Sequence, residues 1–575
     1  MNKHAIYHVL DVPYAYGKDK DTLVLRIRVA TDDIEECSVL YRCRYDWESE
    51  YKRKSMRIVA KTEIFTYYEV ELSIYRNRYR YYFELKDKEN NIRIYTERGL
   101  LDEGYSNINI AAFQFPYISE DDLYKEEKWL QKSIVYQIFP DRFFNGNPDI
   151  KPDYIKEWGK GKVRRHSMYG GDIRGIIEKL NYLKELGIDL IYLTPIFKSS
   201  TNHKYNTADY FEIDPSFGTL EDAKELVSSC HKKGIRIVFD AVFNHSGSDF
   251  FAFKDLLENQ EKSKYRDWYF VDSFPVTIED CNYYTFANSC SNMPKLNTNN
   301  KEVREYLLNV ATYWIKEIDI DGWRLDVCDE VSHDFWRDFR RAVKSVKSDA
   351  IIVGEIMHEA NSFLKGDQLD SIMNYPFKNA TIDFFGKHSI SALEYLDILA
   401  ANRMLYMNSI TKQMWNLLGS HDTKRIINEC KNNIERMKLA IIMQFTYVGV
   451  PYIYYGDEIG IDGEDDPDNR KCMIWDDKKQ NKELLNFYKI LINIRKNNKS
   501  LIYGEFDIVY CKDEVIGFIR EYYNDRVLVI LNNSEEEKCI KVDIKGWGTE
   551  LVTDKNVNFK YGIKVNPFGF MIIKF

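Results

Sequence analysis

The chain has 575 residues, too many for one ordinary domain. Its composition is globular, 44% hydrophobic and 30% charged with 42 Tyr and 32 Phe, which excludes a disordered or fibrous protein. A net charge of −9 over this length argues against nucleic acid or an anionic membrane as a partner. The opening MNKHAIYHVLDVPYAYG lacks the continuous apolar core of a signal peptide, and no run of about 18 apolar residues marks a membrane span. These features predict a cytoplasmic location. Ten cysteines are scattered without a CxxC pair, so free thiols are expected, and no zinc spacing is present.

Residues 1–120 read as an N-terminal β-sandwich. Residues 23–29 (LVLRIRV) and 68–74 (YEVELSI) alternate apolar and polar, as half-buried strands do, and 81–85 follows. Asp32-Asp33 and Asn90-Asn91 supply turns. The basic, aromatic run YRNRYRYY at 75–82 reads as a solvated strand face. Residues 116–132 are acidic and irregular and read as a linker. From about 133 the rhythm changes to short apolar strands separated by amphipathic stretches such as 176–186 and 220–233. The strands fall at 134–139, 188–193, 235–239, 320–325, 351–353, 371–373, 414–418 and 451–455. Eight strands, each followed by a helix or long loop, predict an α/β fold, a closed (β/α)8 TIM barrel over about 130–495. The interval 246–306 is too long for a simple loop after the third strand and predicts an inserted excursion. Strands at 506–510, 515–520, 527–532 and 570–575 make 497–575 a C-terminal antiparallel β-domain.

Four of the barrel strands deliver a carboxylate at their C-terminal ends. DAVFNH begins with Asp240, GWRLDVCDE carries Asp326, VGEIMH carries Glu355 and NLLGSHD ends in Asp422. Any one of these is unremarkable, because Asp also caps helices and starts turns. Four at equivalent strand ends, three with a His within a few residues, point to one pocket on the C-terminal face of the barrel. Converging carboxylates allow three chemistries. Metal binding of the zinc type brings several spaced His; phosphoryl transfer brings a phosphate-binding Gly loop, which is missing. Glycoside hydrolysis needs one carboxylate nucleophile and one carboxylic acid, and the abundant aromatics suit sugar stacking. Arg324 and Asp326 lie two apart on one strand and so share a face. A neighbouring arginine lowers a carboxylate pKa, so Asp326 is expected to be ionised.

These motifs, in this order, resemble the signature regions of glycoside hydrolase family 13, the α-amylase family. MPKLN (293–297) resembles its fifth region as found in the neopullulanase, cyclomaltodextrinase and maltogenic amylase subgroup. GIDLIYLTPIF (187–197), HKYNTADYFEID (203–214) and GVPYIYYGDEIG (449–460) resemble the second strand, its loop and the eighth strand. The N-terminal domain looks like a family 34 carbohydrate-binding module. The resemblance implies a retaining hydrolase of α-1,4-glucosidic bonds in cyclomaltodextrins, pullulan and maltooligosaccharides. It makes Asp326 the nucleophile, Glu355 the general acid/base with a raised pKa, and Asp422 the third carboxylate. Tyr205, His245, Arg324 and His421 would line the subsite of the attacked sugar. Asp466 and Arg470 (DPDNR) would grip the non-reducing side, and Glu330 the acceptor side. Asp240 and Asn244 would be supports. No cofactor is implied for the chemistry. A homodimer through the N-terminal domain is implied, with α-glucan oligosaccharides as the ligands.

Three positions depart from the family pattern. Met357 stands where the family usually has Trp, which removes an aromatic platform. The loop NGNPDIKPD keeps Asn145, Asn147 and Asp149 of a calcium loop but has Ile150 and Lys151 where oxygen ligands are expected. The Gly170 carbonyl and Asp172 complete the candidate set for a structural calcium, which takes six to eight oxygens. Asn206 replaces an Asp beside Tyr205. An oligo-α-1,6-glucosidase or a transglycosylase of the same family is the alternative. A non-catalytic glucan-binding protein is the alternative of another class, and the complete carboxylate set argues against it.

Overall fold

The computed structural model describes residues 1–148 and 154–575. The chain divides into two compact units. The first comprises Met1–Glu126 with Leu364–Asp367 and Ser391–Thr411. It holds a four-stranded antiparallel sheet (Ala15–Asp19, Thr22–Ala30, Phe65–Leu72, Arg57–Lys61) and a six-stranded sheet built on Ile34–Cys43 and Tyr79–Asp87. Their inner faces meet in a core that includes Leu23, Leu25, Ile27 and Val29 from one sheet and Val39, Tyr81, Phe83 and Leu85 from the other. The two-residue period of the strands explains that set.

The opposite face of the first strand is not solvated as its alternation suggests. Arg26 is buried, pairs with Glu69 at 2.8 Å and donates to the carbonyls of Met404 and Tyr406. The helix Ala392–Met404 supplies that cover: Ala400 and Met404 pack on Ala60 and Tyr67. The run at 75–82 is likewise corrected. Tyr79, Arg80 and Tyr81 are buried, and Arg80 lies 3.9 Å over the Trp47 ring. Only its leading residues, Tyr75 and Arg76, are exposed.

The second unit contains the barrel. Its strands are β1 Val135–Ile138, β2 Leu190–Leu193, β3 Arg236–Ala241, β4 Gly322–Leu325, β5 Ile351–Gly354, β6 Ser371–Ile372, β7 Trp415–Leu417 and β8 Val450–Tyr454. All pairings are parallel, in the order 6-5-4-3-2-1-8-7. A parallel bridge between Met373 and Trp415 joins β6 to β7 and closes the ring. Each predicted strand coincides with one of these. Tyr192, Val238, Val353, Trp415 and Tyr452 fill the interior. Gly322 opens β4 because a Cβ there would sit 2.2 Å from the Ile351 carbonyl oxygen.

The helix Ile173–Leu186 shows why the flanking elements form. Ile176, Leu180 and Leu183 line one buried face, Asp172 caps it by accepting from Gly175 N at 2.7 Å, and Gly187 ends it at φ 97°. After β3 the chain makes its excursion through the helix Phe251–Asn259 and several single turns. The excursion ends at Asn300, which caps Lys301–Ile318. A six-stranded antiparallel sheet follows the barrel, with core residues Val515, Leu528, Ile530 and Ile573. It includes the predicted C-terminal strands and two more, Trp547–Glu550 and Lys555–Asn558. No described helix is long and apolar enough to cross a membrane.

Candidate active site

Arg324 is the centre of the site. It is fully buried in β4, its side chain pointing into the barrel mouth. Nη1 lies 3.0 Å from Asp240 Oδ2 at the end of β3 and 3.0 Å from Asp326 Oδ1 just beyond β4. Nη2 lies 2.5 Å from Glu355 Oε1 just beyond β5. One guanidinium thus gathers carboxylates from three consecutive strands. Its fork geometry makes this convergence possible.

Arg324 lowers the Asp326 pKa, as expected, but burial and then the charge on Glu355 outweigh it, so Asp326 titrates well above the usual carboxylate range. Glu355 is raised too, by burial first, with Arg324 opposing. Asp240 is raised for the same leading reason. A single positive charge does not offset three buried negative ones. Asp326 and Glu355 therefore both resist ionisation, and their titrations are linked. Glu355 Oε2 also accepts from the backbone N of Val327 at 3.0 Å. Val327 presents that N–H from a left-handed conformation, φ 43° and ψ 45°, which is strained for a β-branched residue.

Asp422, from the loop after β7, behaves in the opposite way. Burial would raise its pKa, but His421 and Arg470 outweigh it and hold the group well below the usual range. His421 Nε2 is 3.0 Å from Asp422 Oδ2, and Arg470 Nη2 is 3.1 Å from Oδ1. Gln137 Nε2 lies 2.7 Å from His421 Nδ1. Tyr205 stacks on His421, ring centroids 5.4 Å apart and planes within 4°. Its hydroxyl lies 2.6 Å from His421 Nε2 and donates to Asp240 Oδ2 at 3.1 Å. Asp240 further accepts from Tyr192 at 2.6 Å. With Oδ2 accepting from Tyr192, Tyr205 and Arg324, Asp240 is an anchor for Tyr205 and Arg324. His245 is buried, and burial pushes its pKa down to about 3, so the ring is neutral. Its Nε2 has no hydrogen-bond partner among the described residues, and one face is covered by Phe286, 5.2 Å away.

The remaining predicted residues lie around this centre. Asp466 Oδ1 is 3.1 Å from Arg470 Nη1, so both belong to one loop beside Asp422. Glu330 is exposed and pairs with Lys295 at 3.1 Å. The calcium loop stands apart. Asn145 Oδ1 is buried with no hydrogen-bond partner among the described residues, as a cation ligand would be. Asp172 Oδ1 already accepts from Gly146 N at 3.1 Å and from Gly175 N at 2.7 Å. Asn147 is exposed, Gly170 takes φ 75°, and Asp149 lies outside the described residues. Among the described residues no three His, Cys, Asp or Glu cluster as a metal site.

Several contributors escaped the sequence reading. Tyr192 and Gln137 look like core residues of β2 and β1. Phe286 sits in an irregular excursion with no periodicity to mark it, and Lys295 lies within MPKLN, the motif singled out above without a role for this lysine. The Cys328 thiol donates to the Glu355 carbonyl at 3.4 Å, and a Cβ at Gly354 would lie 2.8 Å from its Sγ, so the site takes a small side chain. Asp329 pairs with His358 at 2.9 Å. Asn206 is used within its own loop, accepting from Ser199 at 2.7 Å and donating to Ser200 at 3.0 Å.

Comparison with known proteins accords with this geometry. Residues 137–504 match the alpha amylase catalytic domain, and residues 1–119 match the alpha amylase N-terminal Ig-like domain. A cyclomaltodextrinase of Thermoanaerobacter pseudethanolicus is 48% identical over 541 residues, covering 94% of each chain. Neopullulanase 2 of Thermoactinomyces vulgaris is 42% identical over 100% of this chain and 99% of its own. A solved cyclomaltodextrinase structure superposes with a TM-score of 0.95 at 40% identity, covering 100% of both chains. The chain belongs to the alpha-amylase family of glycoside hydrolases.

Proposed function

We propose that this chain hydrolyses α-1,4-glucosidic bonds of cyclomaltodextrins, pullulan and maltooligosaccharides, with retention at the anomeric carbon. The observation that carries the proposal is the Asp326–Glu355 pair on the two arms of Arg324, with ionised Asp422 beside it. In the first half of the reaction an Asp326 oxygen bonds to C1 as the C1–O glycosidic bond breaks, and Glu355 gives its proton to the leaving oxygen. In the second half water bonds to C1 as the C1–Asp326 ester breaks, and its proton returns to Glu355. Both carboxyls resist ionisation before substrate binds, and substrate separates their roles. A glycosidic oxygen arriving at Glu355 is a proton acceptor, and positive charge developing at C1 favours Asp326 as the anion. Asp422 accepts hydroxyl hydrogen bonds, Tyr205 offers a ring face, and His245 Nε2 is open to a further hydroxyl. The cyclomaltodextrinase and neopullulanase names of the relatives support the substrate class.

β-Cyclodextrin, pullulan and soluble starch supplied in parallel test this. Cleavage of α-1,4 bonds in pullulan leaves trisaccharides that retain an α-1,6 bond, whereas an α-1,6-specific enzyme releases maltotriose. Starch cleaved fastest with cyclodextrin untouched overturns the proposal.

The carboxylates supply every bond and proton this reaction needs, so calcium is assigned no chemical role. Asn145, Asn147, Gly170 and Asp172 are the described residues that would hold it as a structural ion. Ten free cysteines, five of them buried, fit a reducing compartment and support the cytoplasm. A homodimer through the N-terminal domain is also proposed. Tyr45 and Trp47, 65% and 60% exposed on that domain, support an interface there. Light scattering showing a monomer at assay concentration refutes it.

A further inference from the structure

Asn469 stands in DPDNR between Asp466 and Arg470, and the sequence alone assigns it nothing. It is fully buried in the single turn Asp468–Arg470. Its side-chain Nδ2 faces the turn that carries Asp422. The His421 carbonyl accepts from it at 2.7 Å and the Thr423 carbonyl at 2.9 Å, with the Ser420 carbonyl at 3.5 Å. Only the nitrogen end of an amide can donate to carbonyl oxygens, so these partners fix its orientation. The His421 carbonyl accepts a second bond, from Arg470 Nε at 2.8 Å, and the same guanidinium reaches Asp422 Oδ1 through Nη2 at 3.1 Å. Two successive residues of one loop thus hold the peptide between His421 and Asp422. That loop is itself anchored. Arg425, also fully buried, donates through Nε to the Asn469 carbonyl at 2.9 Å and through Nη1 to Asp457 at 2.9 Å. The Asp422 side chain is 32% exposed, so packing alone does not hold it in one place.

We infer that Asn469 is a positioning residue that aims Asp422 by gathering the carbonyls of the 420–423 turn onto one amide. The inference deepens the hydrolase reading above and rests on it. Asn469 touches no substrate in this account; it acts through the His421–Asp422 peptide. Removing its N–H leaves buried carbonyls without that donor. They can recover a partner only by turning the peptide, and the Asp422 side chain turns with it. A carboxylate that accepts sugar hydroxyl bonds then loses the fixed placement on which its contribution depends.

The test compares parent, Asn469→Leu and Asn469→Asp on maltotriose. Leu keeps the volume and has no donor, so kcat/KM should fall about 10- to 100-fold, the range for two buried hydrogen bonds lost. Asp keeps the shape. Ionised, it has no proton to give the carbonyls; protonated, it donates to one of them. Its kcat/KM relative to parent should therefore rise as pH falls from about 8 to about 5, and at the low end exceed that of Asn469→Leu at least about threefold. Against the effect of burial, His421 and Arg470 hold the Asp422 pKa well below the usual range, so Asp422 stays ionised throughout. Asp457, raised to about 6 by burial, titrates in parent and variants alike and cancels in the ratio. A second arm, with maltosyl fluoride as donor, places Asn469→Leu in an Asp422→Asn background, where its further loss should shrink below about twofold. An Asn469→Leu enzyme with the parent kcat/KM overturns the inference. So does a loss undiminished in the Asp422→Asn background, or an Asn469→Asp enzyme no faster than Asn469→Leu at any pH in the range. If Asn469→Leu does not fold, Asn469→Asp near pH 8 takes its place under the same criteria, its rise toward low pH being the rescue. A parent enzyme that leaves both maltotriose and maltosyl fluoride intact overturns the hydrolase reading itself, a result distinct from any of these.

Discussion

Replacing Glu355 by Gln tests the linked titration of Asp326 and Glu355, because it removes one charge of the pair and little volume. Gln keeps an oxygen for the Val327 N–H, now 3.0 Å from Oε2. Its amide nitrogen then faces Arg324 Nη2, at the place where Oε1 sits 2.5 Å away, so one charge-assisted contact is lost. Such a contact is worth about 1.5–3 kcal/mol, and removing a buried negative charge beside Asp326 offsets much of it. The fold should therefore survive. Turnover of maltotriose should fall about 10²- to 10⁴-fold, the usual contribution of a positioned general acid. A maltosyl fluoride donor needs no protonation of its leaving group. Fluoride should then appear as a burst equal to the enzyme concentration, followed by a slow phase that azide, an anionic nucleophile, accelerates. The acid limb of the burst rate should move to lower pH. Asp326 loses the Glu355 charge that raises its pKa and keeps Arg324 at 3.0 Å, so it ionises more readily. The alkaline limb, which reports loss of the Glu355 proton, should vanish. An acid limb that stays in place or moves upward would refute the pairing, and unchanged turnover of maltotriose would remove Glu355 from the reaction.

Stability should report the same burial. Asp326 has a folded-state pKa raised above its unfolded value, so its ionisation weakens the fold as pH rises through that folded pKa. Asp326→Asn should accordingly raise the melting temperature at pH 7 and gain less near pH 4, where both carboxyls are protonated; calorimetry at the two pH values checks this. Val327→Gly relieves a left-handed φ of 43° while keeping the N–H to Glu355, so the variant should melt no lower than the parent. The relief is set by a strain of about 1–3 kcal/mol, less the packing lost with the side chain. The His358 pKa is raised by the Glu359 carbonyl and then by Asp329. Asp329→Asn should lower it by NMR titration without returning it to the ordinary value, since the carbonyl contact at 2.9 Å remains. Prolonged EDTA treatment should leave turnover unchanged. A lower melting temperature restored by calcium would place the ion at Asn145 as a structural element.

What could be read in the sequence depended on the range of the interactions. The eight barrel strands were legible because each is a short apolar run whose identity is set locally. The carboxylates were legible because a strand end has a fixed place in a closed parallel barrel. The charge state of Asp326 was not. Two-residue spacing puts Arg324 beside Asp326, but Asp240 and Glu355 compete for the same guanidinium from 84 residues before it and from the next strand. Nothing between those positions records that competition. Arg26 failed to be legible for a related reason: its polar period promised a wet face, and the helix Ala392–Met404, remote in sequence, covers it. Lys295 is the third case, a lysine in an aperiodic loop that finds its partners only when β3 and β4 are side by side. In each case a cation finds partners that the local pattern does not show. A (β/α)8 barrel brings strand ends together from across the chain, so its buried charges are balanced globally. One arginine facing three carboxylates leaves that balance short, and burial therefore raises the pKa of Asp240, Asp326 and Glu355 together.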